Sequence, residues 1–165
     1  MTFKIKNRHR IKSKDIKKIF SEIQKSFPDL MLNEKSNVET GEIEEYKLVF
    51  VDDTPCFMYH NDRLIFTLIG INKFNPRAKF VEVDMGAVRF VTNGADVMAP
   101  GIVDADISIV EDDVVWICDQ KHKKPLAVGY AVMNGEQMIS EKKGKAINVI
   151  HYVGDRLWNF SAKSL

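Results

Sequence analysis

The sequence lacks the long apolar run that a membrane-spanning helix needs, since no stretch approaches the roughly 20 apolar residues required to cross a bilayer. It also lacks a secretion signal, because its N-terminus is basic but no apolar segment follows the basic residues. We therefore expect a cytoplasmic protein that does not bind membranes. With 45% hydrophobic residues, the chain has enough apolar side chains for one packed core or two small ones.

Cysteine and histidine are both scarce, with two and four copies in 165 residues. Cys56 and Cys118 lie far apart, each inside an apolar run, which favours two buried thiols over a disulfide. The histidines are scattered without the short spacing that brings two of them onto one metal ion. The sequence therefore predicts no metal site.

Sequence motifs for nucleotide binding and catalysis are also missing. No G-x-G-x-x-G or G-x-x-x-x-G-K-[ST] run follows a predicted strand, which excludes the phosphate-binding loops of dinucleotide and nucleotide enzymes. The acidic pairs Asp52-Asp53 and Asp112-Asp113 consist of adjacent residues, which point to opposite faces of a strand or are solvated in a turn. We predict no catalytic residues, no cofactor and no enzymatic activity.

Charge is nearly balanced, with a net charge of +1, but it is unevenly distributed along the chain. Such segregation predicts surfaces of opposite sign, and a positive surface suits a polyphosphate ligand, because binding releases counterions. Lysines that are simply solvated on loops and on the outside of a helix explain the same clusters, and both interpretations stay open at this point. The basic clusters lie in residues 4–18, 121–124 and 142–145, and the acidic ones in residues 39–45 and 104–119.

The N-terminal half has the pattern of a small α+β layer. Residues 3–11 predict an edge strand or an ordered arm, and apolar residues at helical spacing predict a helix over residues 13–27, before Pro28. Residues 33–40 are polar and predict a loop, and residues 70–77 predict the join between the two halves. The strands predicted between them cover residues 44–51, 55–59 and 64–68.

The stretch VDMGAVRFVTNGADVMAPGI, which starts at Val83, combines a helix and a turn. Asp84 is placed to cap a helix over residues 85–92, and Asn93-Gly94 supplies the left-handed exit that such a helix needs. A strand then begins and is interrupted at Pro100-Gly101, where the proline lacks an amide hydrogen and the glycine permits close approach of a ligand. The stretch therefore predicts a groove floor with little side-chain bulk.

Short strands separated by turns fill the rest of the C-terminal half. Closing them into a small barrel removes exposed edges, with the helix over residues 85–92 laid across one opening. Gly129 falls in the middle of one strand, where a missing side chain permits a bulge or a close approach. The predicted strands cover residues 80–83, 97–99, 107–110, 114–118, 126–133 and 146–152.

These segments resemble the PUA domain, an RNA-binding β-barrel module named for pseudouridine synthase and archaeosine transglycosylase. The resemblance is carried by residues 83–102, by LAVGYA at residues 126–131 and by Lys143-Gly144-Lys145. Residues 147–158, INVIHYVGDRLW, are similar to the tail of the malignant-T-cell-amplified and ligatin-like family and its stand-alone archaeal members. The N-terminal half has the layout of that family's pre-PUA domain.

The resemblance implies an α+β fold with two domains. Residues 1–76 would form the pre-PUA domain, and residues 77–165 would form a mostly β PUA pseudo-barrel with a C-terminal tail. It also implies an RNA-binding, translation-associated function, with contacts to tRNA, to rRNA of the ribosomal small subunit or to a translation-factor protein. Two alternatives stay open: a protein-interaction adaptor, and an accessory subunit that presents RNA to a separate modification enzyme.

In the PUA family, RNA lies against the first helix of the module and the turn after it. Glycines on this surface expose backbone amides, and Arg89 can neutralise a phosphate or stack on a base. Tyr130 offers a further stacking face, and the lysines of the loop before the last strand would steer RNA without specifying its sequence. The RNA-contacting residues that the resemblance implies are Gly86, Arg89, Thr92, Asn93, Gly94, Ala95, Met98, Ala99, Pro100, Gly101, Tyr130, Lys143 and Lys145.

Overall fold

The computed structural model describes residues 3–163, which form two compact units. The first unit contains the chain up to Pro76 together with the segment from Asn159 onwards, and the second contains Arg77–Trp158. Residues 1–2 and 164–165, which the sequence interpretation assigns to the two domains, lie outside the described residues. The division into a pre-PUA domain before residue 77 and a PUA domain after it stays a prediction.

The first unit is a five-stranded antiparallel sheet with two helices. Its strand order is β1-β2-β3-β4-β5, so neighbours in the sequence are also neighbours in the sheet, and the basic strand β1 lies at one edge. The elements are β1 (Lys6–Arg10), α1 (Ser13–Ser26), β2 (Val38–Ile43), β3 (Tyr46–Val51), β4 (Thr54–His60), β5 (Arg63–Phe66) and α2 (Leu68–Phe74).

Two tight hairpins explain why β3, β4 and β5 pair in chain order. Asp52 and Asp53 have φ angles of 48° and 69°, and they form the complete connection between β3 and β4. Asn61 and Asp62 do the same between β4 and β5, with φ angles of 48° and 62°. Two consecutive left-handed residues match the twist of paired strands, and Asn and Asp tolerate this conformation better than most residues.

The core of the first unit is aromatic and aliphatic. The predicted helix is confirmed as α1, whose buried residues Ile16, Ile19, Phe20 and Ile23 recur at helical spacing. Under it, the ring of Phe66 lies 4.8 Å from that of Phe57, measured between centroids. The hydrophobic effect thus fixes the helix on one face of the sheet.

Three details of the first unit differ from the sequence predictions. The loop expected at residues 33–40 already contains the start of β2, because fully buried Val38 pairs with Val51 of β3. The boundary between the two units falls after Pro76, inside the join expected at residues 70–77, but most of that stretch is helix α2. Thr67 caps the first turn of this helix, and its hydroxyl oxygen accepts from the Gly70 amide at 3.0 Å. The strand expected at residues 64–68 therefore ends at Phe66.

The second unit is built on a six-stranded sheet with the order β7-β11-β10-β9-β6-β8. All pairs are antiparallel except β6 with β9. Helix α5 follows the last strand and ends the described chain; its first three residues belong to this unit, and its residues from Asn159 belong to the first unit. The elements are β6 (Phe80–Val83), α3 (Val88–Val91), β7 (Val97–Met98), β8 (Ile102–Ala105), β9 (Val114–Asp119), β10 (Pro125–Ala131), α4 (Gly135–Ser140), β11 (Lys145–Tyr152) and α5 (Arg156–Lys163).

A short connection forces this sheet to close. Strands β7 and β8 lie at opposite edges but are joined only by the three-residue turn Ala99–Gly101. Such a turn spans roughly 14 Å, whereas a flat six-stranded sheet is about 24 Å wide. The two edges therefore curl towards each other into a pseudo-barrel, and the buried side chains that fill it include Val81, Ile117 and Ile147. The fold is α+β, as predicted.

Three details of the second unit differ from the sequence predictions. The helix expected at residues 85–92 is preceded by a turn and is limited to Val88–Val91. The strand expected at residues 107–110 is wrong, because the chain there forms turns whose amides bond to the carboxylates of Asp106 and Asp113. Helix α4 was not predicted, although Asn134 and Gln137 form a capping box at its start.

The bulge expected at Gly129 is confirmed. The register between β10 and β11 shifts between Val128 and Gly129. A Cβ atom at Gly129 would overlap the carbonyl group of Asn148 in the neighbouring strand, so only glycine allows the two strands to come this close.

Candidate nucleic-acid interface

The two ends of residues 84–101 are tied together by the turn at Asp84. The Asp84 amide donates to the Gly101 carbonyl at 2.9 Å, and its carboxylate accepts from the Ala87 amide at 2.8 Å. Asp84 therefore caps the turn before α3, close to its predicted role as the cap of the helix itself. This arrangement places the start of α3 beside the turn that joins β7 to β8.

Gly94 ends α3 in the predicted left-handed conformation, with φ of +86°. Its amide donates to the Val91 carbonyl at 3.0 Å, and the Ala95 amide donates to the Phe90 carbonyl at 3.0 Å, so the backbone folds back on the helix. A Cβ atom at this position would lie 2.8 Å from the ring of Tyr152. Glycine is thus required here both by the backbone and by close packing against β11.

An open cavity of about 240 Å³ lies between α3 and β7. Most of its surface is apolar, and two large apolar side chains at its mouth are half-exposed, Phe90 at 54% and Met98 at 49%. Large exposed apolar side chains that line a cavity indicate a binding surface more strongly than isolated ones do. The lining residues are Ala87, Phe90, Val91, Ala95, Asp96, Val97, Met98 and Gly101.

Cationic groups accompany this cavity. The guanidinium carbon of Arg89 lies 4.8 Å from the ring centroid of Phe90, a cation–π contact on the exposed side of α3. Lys145 of β11 pairs with a lining residue of the cavity, with its Nζ 3.0 Å from a carboxylate oxygen of Asp96. The carboxylate of Asp96 that lines the cavity is therefore neutralised by a neighbouring cation.

Asp96 is held in its ionised form. Burial alone would raise the pKa of this carboxyl, but a hydrogen bond from the Val149 amide at 2.9 Å and the Lys145 ammonium outweigh burial and lower it. Both partners come from β11, which is far from Asp96 in the sequence. The position of Asp96, and with it one wall of the cavity, therefore depends on the pairing of β11 with β7.

The predicted contact residues fall into four groups in the structure. Ala95, Met98 and Gly101 line the cavity. A second group lies outside the lining, on α3 and its two flanking turns. One of its members, Thr92, donates its hydroxyl hydrogen to the Val88 carbonyl at 3.0 Å. Lys145 lies outside the lining but forms an ion pair with the lining residue Asp96. The second group consists of Gly86, Arg89, Thr92, Asn93 and Gly94.

The remaining four predicted contact residues lie outside the lining as well and are not on α3 or its flanking turns. Ala99 is fully buried, and its amide donates to the Gly144 carbonyl at 2.8 Å. Pro100 and Lys143 are exposed outside the lining. Tyr130 is half-buried within β10, paired with Asn148 on one side and Val114 on the other. The structure therefore does not bring these side chains to the surface of the cavity.

Sequence reasoning missed Phe90 and Asp96 as members of the site. Phe90 falls outside the apolar stripe formed by Ala87, Val88 and Val91, and this departure from the stripe was the available signal that its ring is exposed. Asp96 follows Gly94-Ala95 as a single acidic residue in a surface that resembles an RNA-binding one, and nothing local in the sequence indicates its pairing with Lys145.

Other reactive groups lie away from this surface. Cys56 and Cys118 are free and buried, as predicted, and burial raises the pKa of each thiol to about 12, so both stay protonated near neutral pH. Within residues 3–163, no three histidine, cysteine, aspartate or glutamate side chains gather in a way that could hold a metal ion. In the same part of the chain, no helix is long and apolar enough to span a membrane.

Comparison with protein families gives two matches that together cover most of the chain. Residues 79–153 match the PUA domain family, and residues 7–74 match a domain of unknown function, DUF1947. The cavity and every predicted contact residue lie in the first of these segments.

Comparison with individual proteins extends the similarity to nearly the whole chain. An uncharacterized protein of Methanocaldococcus jannaschii is 46% identical over 158 residues, which cover 94% of this chain and 98% of that protein. Translation machinery-associated protein 20 of Saccharomyces cerevisiae is 31% identical over 172 residues, with coverage of 96% and 95%. The malignant T-cell-amplified sequence 1 homolog of Drosophila melanogaster is 27% identical over 161 residues, with coverage of 90% and 88%.

The fold is similar to a solved structure over the same extent. The crystal structure of a hypothetical protein from Pyrococcus horikoshii superimposes with a TM-score of 0.84 and 36% identity, and covers 93% of this chain and 99% of that one.

Proposed function

We propose that this chain, which belongs to the family of PUA-domain proteins that includes translation machinery-associated protein 20 and the malignant-T-cell-amplified proteins, binds RNA through α3 and the cavity beside it. The observation that carries the proposal is the combination of half-exposed Phe90 with Arg89 at the mouth of an apolar cavity. Single-stranded RNA is recognised mainly by stacking of unpaired bases on aromatic or guanidinium planes, and both planes are available here.

The chemistry of the cavity suits an unpaired nucleotide better than a duplex. An unpaired base has two apolar faces and a polar edge, and the cavity offers apolar walls together with the carboxylate of Asp96. Lys145 and Arg89 supply positive charge for the phosphates on either side of that base. Because Asp96 is already paired with Lys145, its charge repels phosphate less than a lone carboxylate would.

The proposed role is non-catalytic and translation-associated, with tRNA or small-subunit rRNA as the ligand. It is supported by the name of the yeast relative, translation machinery-associated protein 20, which aligns with this chain over 95% of its own length. The protonated thiols of Cys56 and Cys118 are poor nucleophiles, which favours binding over catalysis. The adaptor and the accessory subunit stay as alternatives, which the following experiment separates from the proposal.

The test is RNA affinity of the full chain, measured by fluorescence anisotropy at salt concentrations from about 50 to about 200 mM. The probes are tRNA with an intact single-stranded 3′ end, the same tRNA without that end, and a small-subunit rRNA fragment. We expect Phe90→Ala to weaken binding by about 1–3 kcal/mol, which is the usual contribution of one base–aromatic stack. Arg89→Ala should weaken binding and also lower the salt dependence, because a phosphate contact is lost.

The matched control is Lys25→Ala, which removes one exposed cation from α1 in the first unit. Equal losses for Arg89→Ala and Lys25→Ala would mean that charge alone attracts RNA, and the proposed groove would be wrong. Absence of RNA binding at low salt, together with recovery of a protein partner that depends on the first unit, would favour the adaptor. A changed rate of a co-purifying RNA-modifying enzyme would favour the accessory subunit.

A further inference from the structure

A second surface of the second unit combines exposed aliphatic side chains with acidic ones. Val103 of β8 is 37% exposed, and Ile107 and Val110 in the loop that follows are 69% and 58% exposed. Three exposed acidic residues lie beside them in the sequence. We call this surface the acidic-aliphatic patch, and its members are Val103, Asp104, Ile107, Val110, Glu111 and Asp112.

The loop that presents Ile107 and Val110 is fixed by hydrogen bonds. The carboxylate of Asp106 accepts from the Ser108 amide at 2.9 Å and from the Lys79 amide at 2.6 Å. The carboxylate of Asp113 accepts from the Val110 amide at 2.9 Å and from the Lys79 ammonium at 2.9 Å. Two aliphatic side chains are thus held outwards on an ordered backbone, and binding to them would cost little conformational entropy.

The edge of the adjacent strand is partly closed to further strand pairing. The Lys142 ammonium donates to the Ile102 carbonyl at 2.6 Å, and the Asp104 carboxylate accepts from the amide of Ala105 at 2.8 Å. These two contacts occupy backbone groups of β8 that an added strand would need. A partner of this surface therefore makes contact through side chains and does not extend the sheet.

The charge of the patch restricts the chemistry of a partner. Asp104 and Glu111 bring exposed carboxylates to the patch, and nearby cations are engaged with other groups: Lys79 with Asp113, Lys123 with Glu82 and Lys142 with the Ile102 carbonyl. Phosphate groups are repelled by such a surface, so RNA does not fit it. Aliphatic residues surrounded by carboxylates instead complement a protein segment that carries lysine or arginine between apolar side chains.

We propose that the acidic-aliphatic patch docks a basic protein segment in which aliphatic side chains alternate with lysine or arginine. Ile107 and Val110 would contact the apolar side chains of that segment, and the carboxylates beside them would pair with its cations. Because the patch shares no residue with the RNA-binding surface proposed above, the two interactions are independent.

The test uses the full chain and three short synthetic peptides of equal length, with capped ends. One alternates lysine and leucine, the second alternates lysine and serine, and the third alternates glutamate and leucine. Binding is followed by the amide resonances of the protein in a nuclear magnetic resonance titration. The lysine–leucine peptide should shift the resonances of residues 103–112, and the other two peptides should bind at least about tenfold more weakly, because each lacks one half of the complementarity.

Protein variants then distinguish specific docking from general attraction. Ile107→Ser combined with Val110→Ser should weaken the lysine–leucine peptide at least about tenfold, because it removes the apolar contacts and leaves every carboxylate in place. The matched control is Met31→Ser, which removes an exposed apolar side chain from the first unit. Both positions of the double variant are exposed, so its thermal unfolding should match that of the unmodified protein.

Three results would overturn the proposal. The first is an equal affinity of the peptide for the double variant and the unmodified protein. The second is a set of shifted resonances that lies outside residues 103–112. The third is a concentration-dependent dimer in sedimentation experiments that disappears in the double variant, since the patch would then be occupied by a second copy of this chain.

Discussion

The two sheets of this protein are organised in opposite ways. In the first unit, strand order follows chain order, and short turns such as Asp52-Asp53 join β2, β3, β4 and β5 in succession, whereas β1 pairs with β2 across helix α1. In the second unit, β7 pairs with β11 and β6 pairs with β9, so strands that are distant in the sequence become neighbours. Local turns therefore specify strands β2 to β5 of the first sheet, whereas the cavity in the second unit depends on long-range pairs.

The largest expected effects come from one glycine in each unit. A Cβ atom at Gly70 would overlap the Cys56 carbonyl in the first unit, and one at Gly129 would overlap the Asn148 carbonyl in the second. Backbone cannot move as a side chain does, so we expect Gly70→Ala and Gly129→Ala each to cost about 3 kcal/mol or more in the free energy of unfolding. Hydrogen exchange of backbone amides measures this loss for each unit separately.

The same experiment tests whether the two units are independent domains. Gly70→Ala should reduce protection in the first unit and leave protection in Arg77–Trp158 unchanged, and Gly129→Ala should do the reverse. Gly144→Ala is the control: Gly144 has φ of +82°, but a Cβ atom there meets no heavy atom within 4 Å, so only about 1 kcal/mol of backbone strain is expected. Equal loss of protection in both units would contradict the predicted boundary after residue 76.

The difference between the sheets also explains what the sequence could predict. Helix α1 and strands β3 to β5 follow from local periodicity and from turn residues, so they were found with small errors at their ends. Strand β2 was not predicted, because Val38 stands alone among polar neighbours and the start of the strand fell in the loop expected at residues 33–40. Residues 107–110 form turns and not the predicted strand. Amides in these turns bond to the carboxylates of Asp106 and Asp113 instead of to a neighbouring strand.

The candidate site was predicted in its local part only. Asp84 and Gly94 act through neighbours within a few residues, so their roles in the turn and the helix end were visible in the sequence. The contact between Gly94 and Tyr152 and the ion pair between Asp96 and Lys145 join distant segments, and no local pattern indicates them. Ala99 was predicted to contact RNA, but its burial follows from the pairing of β7 with β11.

Acidification should lower the stability of the second unit more than that of the first. In the second unit, Asp96, Asp106, Asp119 and Asp155 have a lowered pKa, because hydrogen bonds and nearby cations outweigh the effect of burial. Among the described carboxyls of the first unit, only Glu39 has a resolved lowered pKa, caused mainly by its hydrogen bond with Arg8. As the pH falls, protonation therefore disrupts more native hydrogen bonds to carboxylates in the second unit than in the first.

The sign of this pH dependence is fixed by the direction of the shifts. A carboxyl whose pKa is lower in the folded state stabilises the protein above its unfolded pKa, near 3.9 for aspartate, and the stabilisation is lost as the pH falls through the lower folded value. We expect the second unit to lose protection below about pH 4 before the first does. Asp106→Asn should cost about 1–2 kcal/mol at neutral pH and reduce the acid sensitivity of the second unit. Parallel loss of protection in both units on acidification would contradict this expectation.

The smallest expected effect on stability is at Lys145. Its ion pair with Asp96 is half-exposed, and exposed pairs contribute less than about 1 kcal/mol, so Lys145→Ala should barely change the unfolding temperature. The same substitution should weaken RNA binding, because it removes a cation and also leaves the carboxylate of Asp96 facing the phosphates without a partner. Lys143→Ala removes only an exposed cation of the same loop and should weaken RNA binding less.

A double variant separates the two contributions of Lys145. Asn at position 96 can still accept the Val149 amide, so Asp96→Asn keeps the backbone contact of the carboxylate but removes its charge. Asp96→Asn combined with Lys145→Ala should therefore recover most of the affinity that Lys145→Ala loses. If the double variant binds RNA as weakly as Lys145→Ala alone, the loss comes from the missing cation only, and Asp96 does not face the bound RNA. The long-range pair of β7 with β11 would then support the wall of the cavity without taking part in binding.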